Sequence, residues 1–315
     1  MDNSTVERFA SQIARLRHPD GVVDIVLDTD TYNEVDDQFA LAYMILSPEK
    51  LRVVGVNAAP FLNHRSVSPG DGAEKSYQEI LKVLRVMRRE DLIPLVHHGS
   101  GSFLPSETEP VESDAARSLV ELSKSYTPEN PLYIAGIGAI TNVASALLMD
   151  PTMAERIYVI WLGGHGTDFG QSAEFNLMQD VAAGRVLMRS GAPLALIPAM
   201  GVTSHLIATE PMLREALCGY NELCDFFYEN THSFCKGWGK YFWFKVIWDI
   251  AAIGWFLSED YVLEHIVHAP IPQYDDHFSD DPEGMFIRKA YYVEENRIFD
   301  DLIEKLRNYK PEVDR

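Results

Sequence analysis

Cysteine, basic residues and long apolar runs are all scarce in this 315-residue chain. The three cysteines, Cys218, Cys224 and Cys235, form neither a CxxC pair nor a zinc-like Cys/His spacing, which argues against a disulfide scaffold or a structural zinc site. The 27 basic residues face 47 acidic ones, and the net charge of −20 disfavours nucleic acid and anionic membranes as partners. No apolar run reaches the roughly 18 residues of a membrane span, and the first residues do not resemble an export signal. We therefore expect a cytoplasmic protein.

The chain does contain an alternation of short β-branched runs with longer amphipathic segments, which is typical of a parallel sheet wrapped by helices. Strands are predicted at 22–28, 51–58, 92–98, 132–138, 157–163 and 194–199. Helices are predicted between them at 37–46, 74–89, 114–125, 141–149 and 182–189. We predict an α/β fold with an open, mostly parallel, Rossmann-like sheet and helices on both faces, whose ligand crevice lies at the carboxyl ends of the strands.

The stretch from about 209 to 258 is helical in pattern and crowded with aromatic residues. We interpret it as a helical, aromatic-rich cap whose rings are mainly core material, with ligand stacking at a pocket rim as the alternative. A terminal strand and a helix to residue 305 are expected after residue 270. Because we find no linker, we predict a single domain over residues 1–315, with the cap as an insertion.

A dense group of acids follows the first predicted strand and runs into a helix. Its members are Asp28, Asp30, Glu34, Asp36 and Asp37. Two carboxylates 4 Å apart repel by about 1 kcal/mol in water and by more when partly buried, so the fold must compensate them. Helix capping accounts for Asp36 or Asp37 but leaves Asp28 and Asp30 unexplained. A hard divalent ion, Ca²⁺ or Mg²⁺, compensates all of them, and these acids are its preferred ligands.

Further polar residues are expected at the same crevice. Asp168 lies in a glycine-rich loop after the fifth predicted strand, and Glu174 and Asn176 follow on one side of an extended backbone. Turn chemistry and a helix cap are the alternative role for this segment. Asp249 lies in an apolar run, so an ionised carboxylate there must be metal-bound or paired, with Lys245 as the local candidate for pairing.

The order of these motifs resembles the nucleoside hydrolase family of the inosine-uridine preferring type, over roughly residues 22 to 260. The turn with Asp28, Asp30, Asp36 and Asp37 resembles the family's Asp-x-Asp-Pro-Gly-x-Asp-Asp. Residues 138–142, Gly-Ala-Ile-Thr-Asn, resemble Gly-x-Leu-Thr-Asn, and residues 173–176 are the family's Ala-Glu-Phe-Asn. Trp248 and Asp249 stand where the family has His-Asp.

The resemblance implies calcium-dependent hydrolysis of the N-glycosidic bond of a ribonucleoside or related riboside. The Ca²⁺ ligands that it implies are Asp30, Asp37, Asp249 and the backbone carbonyl of Ile137. Asp30 would also accept the proton of the attacking water. The residues implied to bind the substrate are Asp36, Asn63, Asp168, Glu174, Asn176 and Trp248.

Two departures from the family pattern concern the leaving group and the metal turn. Trp248 replaces the histidine that would protonate the leaving base, and an indole does not donate a proton at neutral pH. Stacking on Trp248 is one way to activate a base, and a leaving group other than a standard base is another. Residues 31–35 also make the metal turn two residues longer than in the family.

Three functions are therefore compared. The first is the riboside hydrolase, and the second is a metal-dependent riboside-binding protein with little or no turnover, which Trp248 favours. The third is a Mg²⁺-dependent phosphohydrolase using Asp28 and Asp30, which lacks a basic phosphate cradle. We expect a small-molecule riboside as the partner, neither nucleic acid nor membrane, and a homo-oligomer, either a dimer or a tetramer.

Overall fold

A computed structural model describes residues 3–239 and 241–311. The strands are β1 (Val23–Thr29), β2 (Leu51–Ala58), β3 (Val96–His97), β4 (Leu132–Gly136), β5 (Ile157–Leu162), β6 (Leu194–Ile197), β7 (Ile207–Thr209), β8 (Phe244–Val246), β9 (Val262–His268), β10 (Ile271–Pro272), β11 (Phe278–Ser279) and β12 (Phe286–Val293). The α-helices are α1 (Asn3–Arg15), α2 (Asp36–Ile45), α3 (Pro69–Val86), α4 (Asp114–Ser123), α5 (Thr141–Met149), α6 (Phe175–Gln179), α7 (Val181–Arg189), α8 (Glu210–Leu217), α9 (Glu222–Cys235), α10 (Ile250–Leu257) and α11 (Glu295–Asn308). Short 3-10 helices span Glu90–Leu95, Pro151–Glu155 and Thr203–His205.

The central sheet has eight strands in the order β3-β2-β1-β4-β5-β6-β12-β9. Its neighbouring strands are parallel except for β9, which runs antiparallel to β12. Successive side chains of a strand point to opposite faces, so Ile25 and Leu27 enter one buried apolar cluster while Val26 enters the other. Helices α2, α10 and α11 contribute to the first cluster, and α5 and α7 contribute to the second. The predicted mostly parallel α/β sheet with helices on both faces is confirmed.

The third predicted strand, 92–98, is much shorter in the structure. Residues Glu90–Leu95 form a 3-10 helix that contains Pro94, and strand pairing begins at Val96. Proline cannot donate a ladder hydrogen bond, and β3 is an edge strand, where short pairing is common. Strand β9 is the opposite case, because its adjacent exposed residues His265 and Ile266 interrupt the apolar alternation that would have predicted it.

The aromatic-rich stretch divides into parts with different surroundings. Helices α8 and α9 pack against each other, and β8 pairs with β7 outside the central sheet. The last part, α10, is buried from Ile250 to Phe256 and packs on α2 and on the central sheet. The stretch is mostly helical, as predicted, apart from the short strand β8, and the residues of α10 are core material.

Segments that follow β1, β2, β4, β5 and β6 meet at the carboxyl edge of the sheet, where they enclose a cavity. This is the position expected for a ligand crevice in a parallel sheet.

No helix within residues 3–239 or 241–311 combines the length and the apolar character needed to cross a bilayer.

Candidate active site

A cavity of about 340 Å³ lies at the carboxyl edge of the sheet, and we name it the acidic cavity after its carboxylates. It brings together most of the predicted site residues. Those lining it are Asp30, Asp36, Asp37, Asn63, Ile137, Glu174, Asn176, Trp248 and Asp249. Asp168 lies instead in a neighbouring cavity of about 660 Å³, where its charge acts on Lys289. The structure therefore does not bring the predicted substrate ligand Asp168 to the wall of the acidic cavity.

Four carboxylates converge at one end of this cavity. Oxygens of Asp36, Asp37 and Asp249 lie within 4.8 Å of one another. Burial, followed by the charge of Asp36, raises the pKa of Asp37 to about 8, although the Thr29 hydroxyl donates to its Oδ1 over 2.5 Å. Burial and the neighbouring carboxylates also raise the pKa values of Asp30 and Asp249 well above their usual range. These negative charges are held close together out of water, which is costly unless a cation joins them.

The residues at this point fit a hard divalent cation. The donors are carboxylates and a backbone carbonyl, which suit Ca²⁺ or Mg²⁺ better than zinc. Among the described residues, Oδ2 of buried Asp30 has no hydrogen-bond partner. The carbonyl of Ile137 accepts from the Asn176 amide over 3.1 Å and retains a second lone pair. The tightest group contains Asp36 in addition to the expected Asp37 and Asp249.

Glycine is required where this group approaches the strand β4 turn. A Cβ atom built on Gly138 would lie 2.9 Å from the Ala59 Cβ and 3.0 Å from the Asp30 Oδ1. Such contacts are too short for any side chain to be added without moving Asp30. Gly138 therefore sets how closely the backbone of this turn can approach the carboxylates.

A buried lysine also reaches the carboxylates. Nζ of Lys245 lies 2.6 Å from Glu34 and 2.8 Å from Asp36, and it donates to the carbonyl of Val246 over 2.7 Å. Its side chain is 2% exposed. Burial opposes the charged form, but Asp36 and Glu34 outweigh it and raise the pKa of Lys245. Lys245 was predicted from the sequence as a pairing partner for Asp249. In the structure it pairs with Asp36 and with Glu34, which lies in the lengthened turn.

Glu174 and Asn176 form the opposite wall of the acidic cavity. The Glu174 carboxylate accepts from the backbone N–H groups of Gly164, Asn176 and Leu177 over 2.9, 2.9 and 3.0 Å, and it caps α6. Burial raises its pKa to about 7 despite these hydrogen bonds. The Asn176 amide nitrogen donates to Ile137 and Leu162, so its side-chain oxygen is the atom that can accept from a ligand. Capping and cavity lining, posed as alternatives for this segment, coexist.

The floor beneath the carboxylates is a buried polar network. The Asn142 amide donates to Asp28 Oδ1 over 2.8 Å and to the carbonyl of Ala58 over 3.2 Å, while its oxygen accepts from Ser100. Burial raises the pKa of Asp28 to about 7, although the Asn142 bond acts in the other direction. Asp28 therefore supports the site from below, and the residues that line the cavity are its neighbours.

The remaining wall carries Trp248, Glu34 and His165. The Trp248 backbone N–H donates to Asp36 Oδ2 over 3.2 Å, which fixes this residue beside the carboxylates. His165 Nδ1 accepts from the Met200 backbone N–H over 3.4 Å, and burial lowers the pKa of the imidazole. Sequence reasoning assigned no role to His165 and counted Glu34 only as a member of the acidic group. The signals for their positions were the Gly-Gly-His-Gly loop after β5 and the lengthened turn after β1.

Comparison with known proteins confirms the resemblance seen in the motifs. Residues 25–294 match the family profile described as inosine-uridine preferring nucleoside hydrolase. A pyrimidine-specific ribonucleoside hydrolase, RihA of Salmonella agona, is 28% identical over 193 residues, which cover 55% of this chain and 58% of the relative. The chain spans little more than half the length of the curated relatives it matches, 54% and 58% in two cases.

Two solved structures share the fold across nearly the whole chain. The plant nucleoside hydrolase PpNRh1 superimposes with a TM-score of 0.72 at 19% identity, covering 91% of this chain and 99% of that one. An inosine-guanosine nucleoside hydrolase gives a TM-score of 0.73 at 14% identity, covering 92% and 99%. At these identities the likeness establishes the architecture, and the chemistry must be argued from the residues.

Proposed function

The chain belongs to the inosine-uridine preferring nucleoside hydrolase family, and we propose that it hydrolyses the N-glycosidic bond of a ribonucleoside or related riboside, releasing the base and ribose. The observation that carries this proposal is the convergence of the carboxylates of Asp30, Asp37 and Asp249 with Glu174 and Asn176 around one cavity of about 340 Å³. These residues come from separate segments of the chain, so their meeting is a property of the fold.

We propose that the metal is Ca²⁺, held by Asp30, Asp37, Asp249 and the carbonyl of Ile137. The chemistry that a bound Ca²⁺ supplies is the orientation of a water molecule and a lowering of its pKa. An all-oxygen donor set with several carboxylates supports calcium over zinc. The close approach of Asp36 to Asp37 and Asp249 supports a role for Asp36 beside the metal as well as toward the sugar.

The other side chains of the acidic cavity are proposed to activate water, stabilise charge and bind the sugar. Asp30 accepts the proton of the attacking water, and the surrounding carboxylates stabilise the positive charge of an oxocarbenium-like sugar. Asp36, Asn63, Glu174 and Asn176 bind the ribose hydroxyls, because their side chains carry oxygen acceptors and line the cavity in which the sugar would bind. Nearly all of these groups are buried, which strengthens each interaction by excluding water.

The test is a panel of nucleosides together with p-nitrophenyl riboside, assayed with Ca²⁺ and with EDTA. We expect calcium-dependent ribose release that Asp37→Asn reduces at least 100-fold, since the substitution keeps the side-chain shape and removes a charge from the cluster. Asp114→Asn is the matched control, because Asp114 lies in the exposed first turn of α4. Failure to release ribose from any compound would refute the proposal.

A second candidate function is a metal-dependent riboside-binding protein with little turnover, and the observation that favours it is Trp248 in the cavity wall. Calorimetry with a ribose analogue separates the two. Calcium-dependent binding without hydrolysis over days favours the binding protein, whereas turnover of p-nitrophenyl riboside favours the enzyme. Under the enzyme proposal, Trp248→His should increase turnover of uridine, whose base needs a proton, more than turnover of p-nitrophenyl riboside, whose phenolate does not.

We further propose that the protein works as a cytoplasmic homo-oligomer, either a dimer or a tetramer. The exposed side chains of Trp238, Phe242 and Phe244 support self-association, because adjacent exposed aromatic residues commonly mark interfaces. Sedimentation of the purified chain and fractionation of the cell of origin test these two statements. A monomer at all concentrations would refute the first.

A further inference from the structure

A second cavity, of about 460 Å³, adjoins the acidic cavity, and the two share the side chains of Asn33, Glu34 and Asn63 as a common wall. We name it the aromatic cavity. The rest of its lining is Tyr32, His64, Arg65, Phe234 and Trp238. A ligand whose sugar fills the acidic cavity can therefore extend a second group across the shared wall. The chemistry of the aromatic cavity decides what that group is.

Arg65 supplies the charge in the aromatic cavity. Its guanidinium carbon lies 4.4 Å from the ring centroid of Tyr32 and 5.1 Å from that of Phe234. Within residues 3–239 and 241–311, no carboxylate lies within ion-pair distance of this guanidinium, although the whole chain carries a net charge of −20. A guanidinium that stacks on rings through its faces keeps its N–H edge available for an acceptor.

The backbone that carries Arg65 is fixed in place. Its N–H donates to Asn63 Oδ1 over 2.8 Å, and its carbonyl accepts from Lys75 Nζ over 2.8 Å. Asn63 in turn donates to Asn33 across the shared wall over 2.7 Å. These bonds fix the backbone of Arg65, and the two ring contacts restrain its guanidinium. Less side-chain entropy is therefore lost when the guanidinium binds an acceptor.

We propose that the aromatic cavity receives the leaving group of the riboside and that Arg65 selects leaving groups that carry a carboxylate. A planar guanidinium edge matches a carboxylate with two parallel hydrogen bonds. The rings of Phe234 and Trp238 suit a flat heterocycle better than they suit a 5′-phosphate, which would use Arg65 alone. Glu34 on the shared wall does not cancel this preference, because Lys245 pairs with its charge. The inference rests on the proposed function.

The test uses nicotinic acid riboside and nicotinamide riboside, which differ in one carboxylate and both release a pyridine that needs no proton. With Ca²⁺ present, we expect kcat/KM to favour the acid by roughly 10- to 100-fold, the value of a charge-assisted bidentate contact. Arg65→Gln should reduce that ratio to about 1. Arg65→Lys should give a ratio between these two values, because the positive charge is kept but the two parallel N–H donors of the guanidinium are lost. Arg85→Gln, at an exposed position of α3, is the control with the same charge change.

Three results would overturn the inference: a ratio near 1 in the unmodified protein, an unchanged ratio in Arg65→Gln, or an Arg65-dependent preference for uridine 5′-monophosphate over uridine. The last result would assign Arg65 to a 5′-phosphate. If no riboside is hydrolysed, the proposed function fails separately, and calorimetric Kd values for the same pair then decide. Arg65-dependent preference for the acid supports the inference, and equal binding of the two compounds overturns it.

Discussion

Replacing Lys245 with methionine is the most direct perturbation of the charge balance in the acidic cavity. The ammonium group is buried at 2% exposure and contacts Glu34, Asp36 and the carbonyl of Val246. Methionine preserves most of the stem and its packing while removing the charge and the donors. Lys245→Met therefore leaves a buried carboxylate, Asp36, without its cation.

The expected cost follows from the burial of the partners. Removing one member of a buried ion pair destabilises a protein by about 3–5 kcal/mol, because the remaining charge is left without compensation. Asp36 is 4% exposed and bears this cost, whereas Glu34 is 37% exposed and can regain water. For a chain of this size we expect the Tm of the metal-free protein to fall by roughly 5–8 °C.

The assay is urea unfolding in EDTA, with Lys124→Met as the matched control. Lys124 also pairs with a carboxylate, Glu121 at 2.6 Å, but both side chains are exposed, so its removal should cost at most about 1 kcal/mol. Adding Glu34→Gln to Lys245→Met should cost little more, since Glu34 then has no cation to lose. If Lys245→Met is no more destabilising than Lys124→Met, the reasoning about the buried pair is wrong.

Calcium provides a second readout of the same variant. Lys245 places a positive charge against Asp36, beside the carboxylates expected to hold the ion, so its removal should tighten calcium binding. We therefore expect Ca²⁺ to stabilise Lys245→Met more than it stabilises the unmodified protein. Weaker calcium binding in the variant would mean that Lys245 orders the metal ligands more than it competes with the ion.

Three further predictions concern the same carboxylates. Saturating Ca²⁺ at about 100 times its Kd should raise the Tm by roughly 4 °C in differential scanning fluorimetry, and Asp37→Asn should abolish most of this rise. In EDTA, stability should fall as the pH rises from about 4 to about 8, because raised pKa values of about 7 for Asp28 and about 8 for Asp37 mean that the folded state binds more protons than the unfolded state in this window. Each such group lowers the free energy of unfolding by at most about 1.4 kcal/mol per pH unit. Ca²⁺ should reduce this dependence on pH. A free energy of unfolding that rises with pH would contradict the raised pKa values. Glu174→Gln should lower stability at pH 8 by about 1–2 kcal/mol in urea unfolding, since three backbone N–H groups lose a charged acceptor, and an unchanged midpoint would contradict it.

The sheet was predictable from the sequence because its parallel strands are buried on both faces and read as β-branched runs. The bounds of β2 and α5 agree with the predicted segments 51–58 and 141–149. Prediction was wrong where pairing depends on position in the sheet. Residues 92–95 are apolar enough for a strand but lie at the sheet edge and include Pro94, and β9 is an edge strand with polar residues.

The position of the carboxylate cluster was predictable because the carboxyl ends of parallel strands lie at one edge of the sheet, which brings Asp30 after β1 and Ile137 after β4 to the same cavity. Asp168 was less predictable, because it lies in the loop between β5 and α6, where no regular backbone fixes the direction of a side chain. The pairing of Lys245 with Glu34 joins residues 211 positions apart, and local sequence carries no signal for it.

The longer turn after β1 and the buried lysine are best understood as one feature. Glu34 lies in the part of the turn that exceeds the family pattern, and its carboxylate pairs with Lys245, which also contacts Asp36. An added acid at this position would worsen the repulsion among Asp36, Asp37 and Asp249 unless a cation accompanied it. Because Lys245 offsets the charge of Glu34, the turn can extend the cavity wall toward Arg65 without adding net negative charge beside the carboxylates that we propose hold the metal. The lengthened turn therefore lies on the side of the acidic cavity that adjoins the aromatic cavity, where we propose that the leaving group binds.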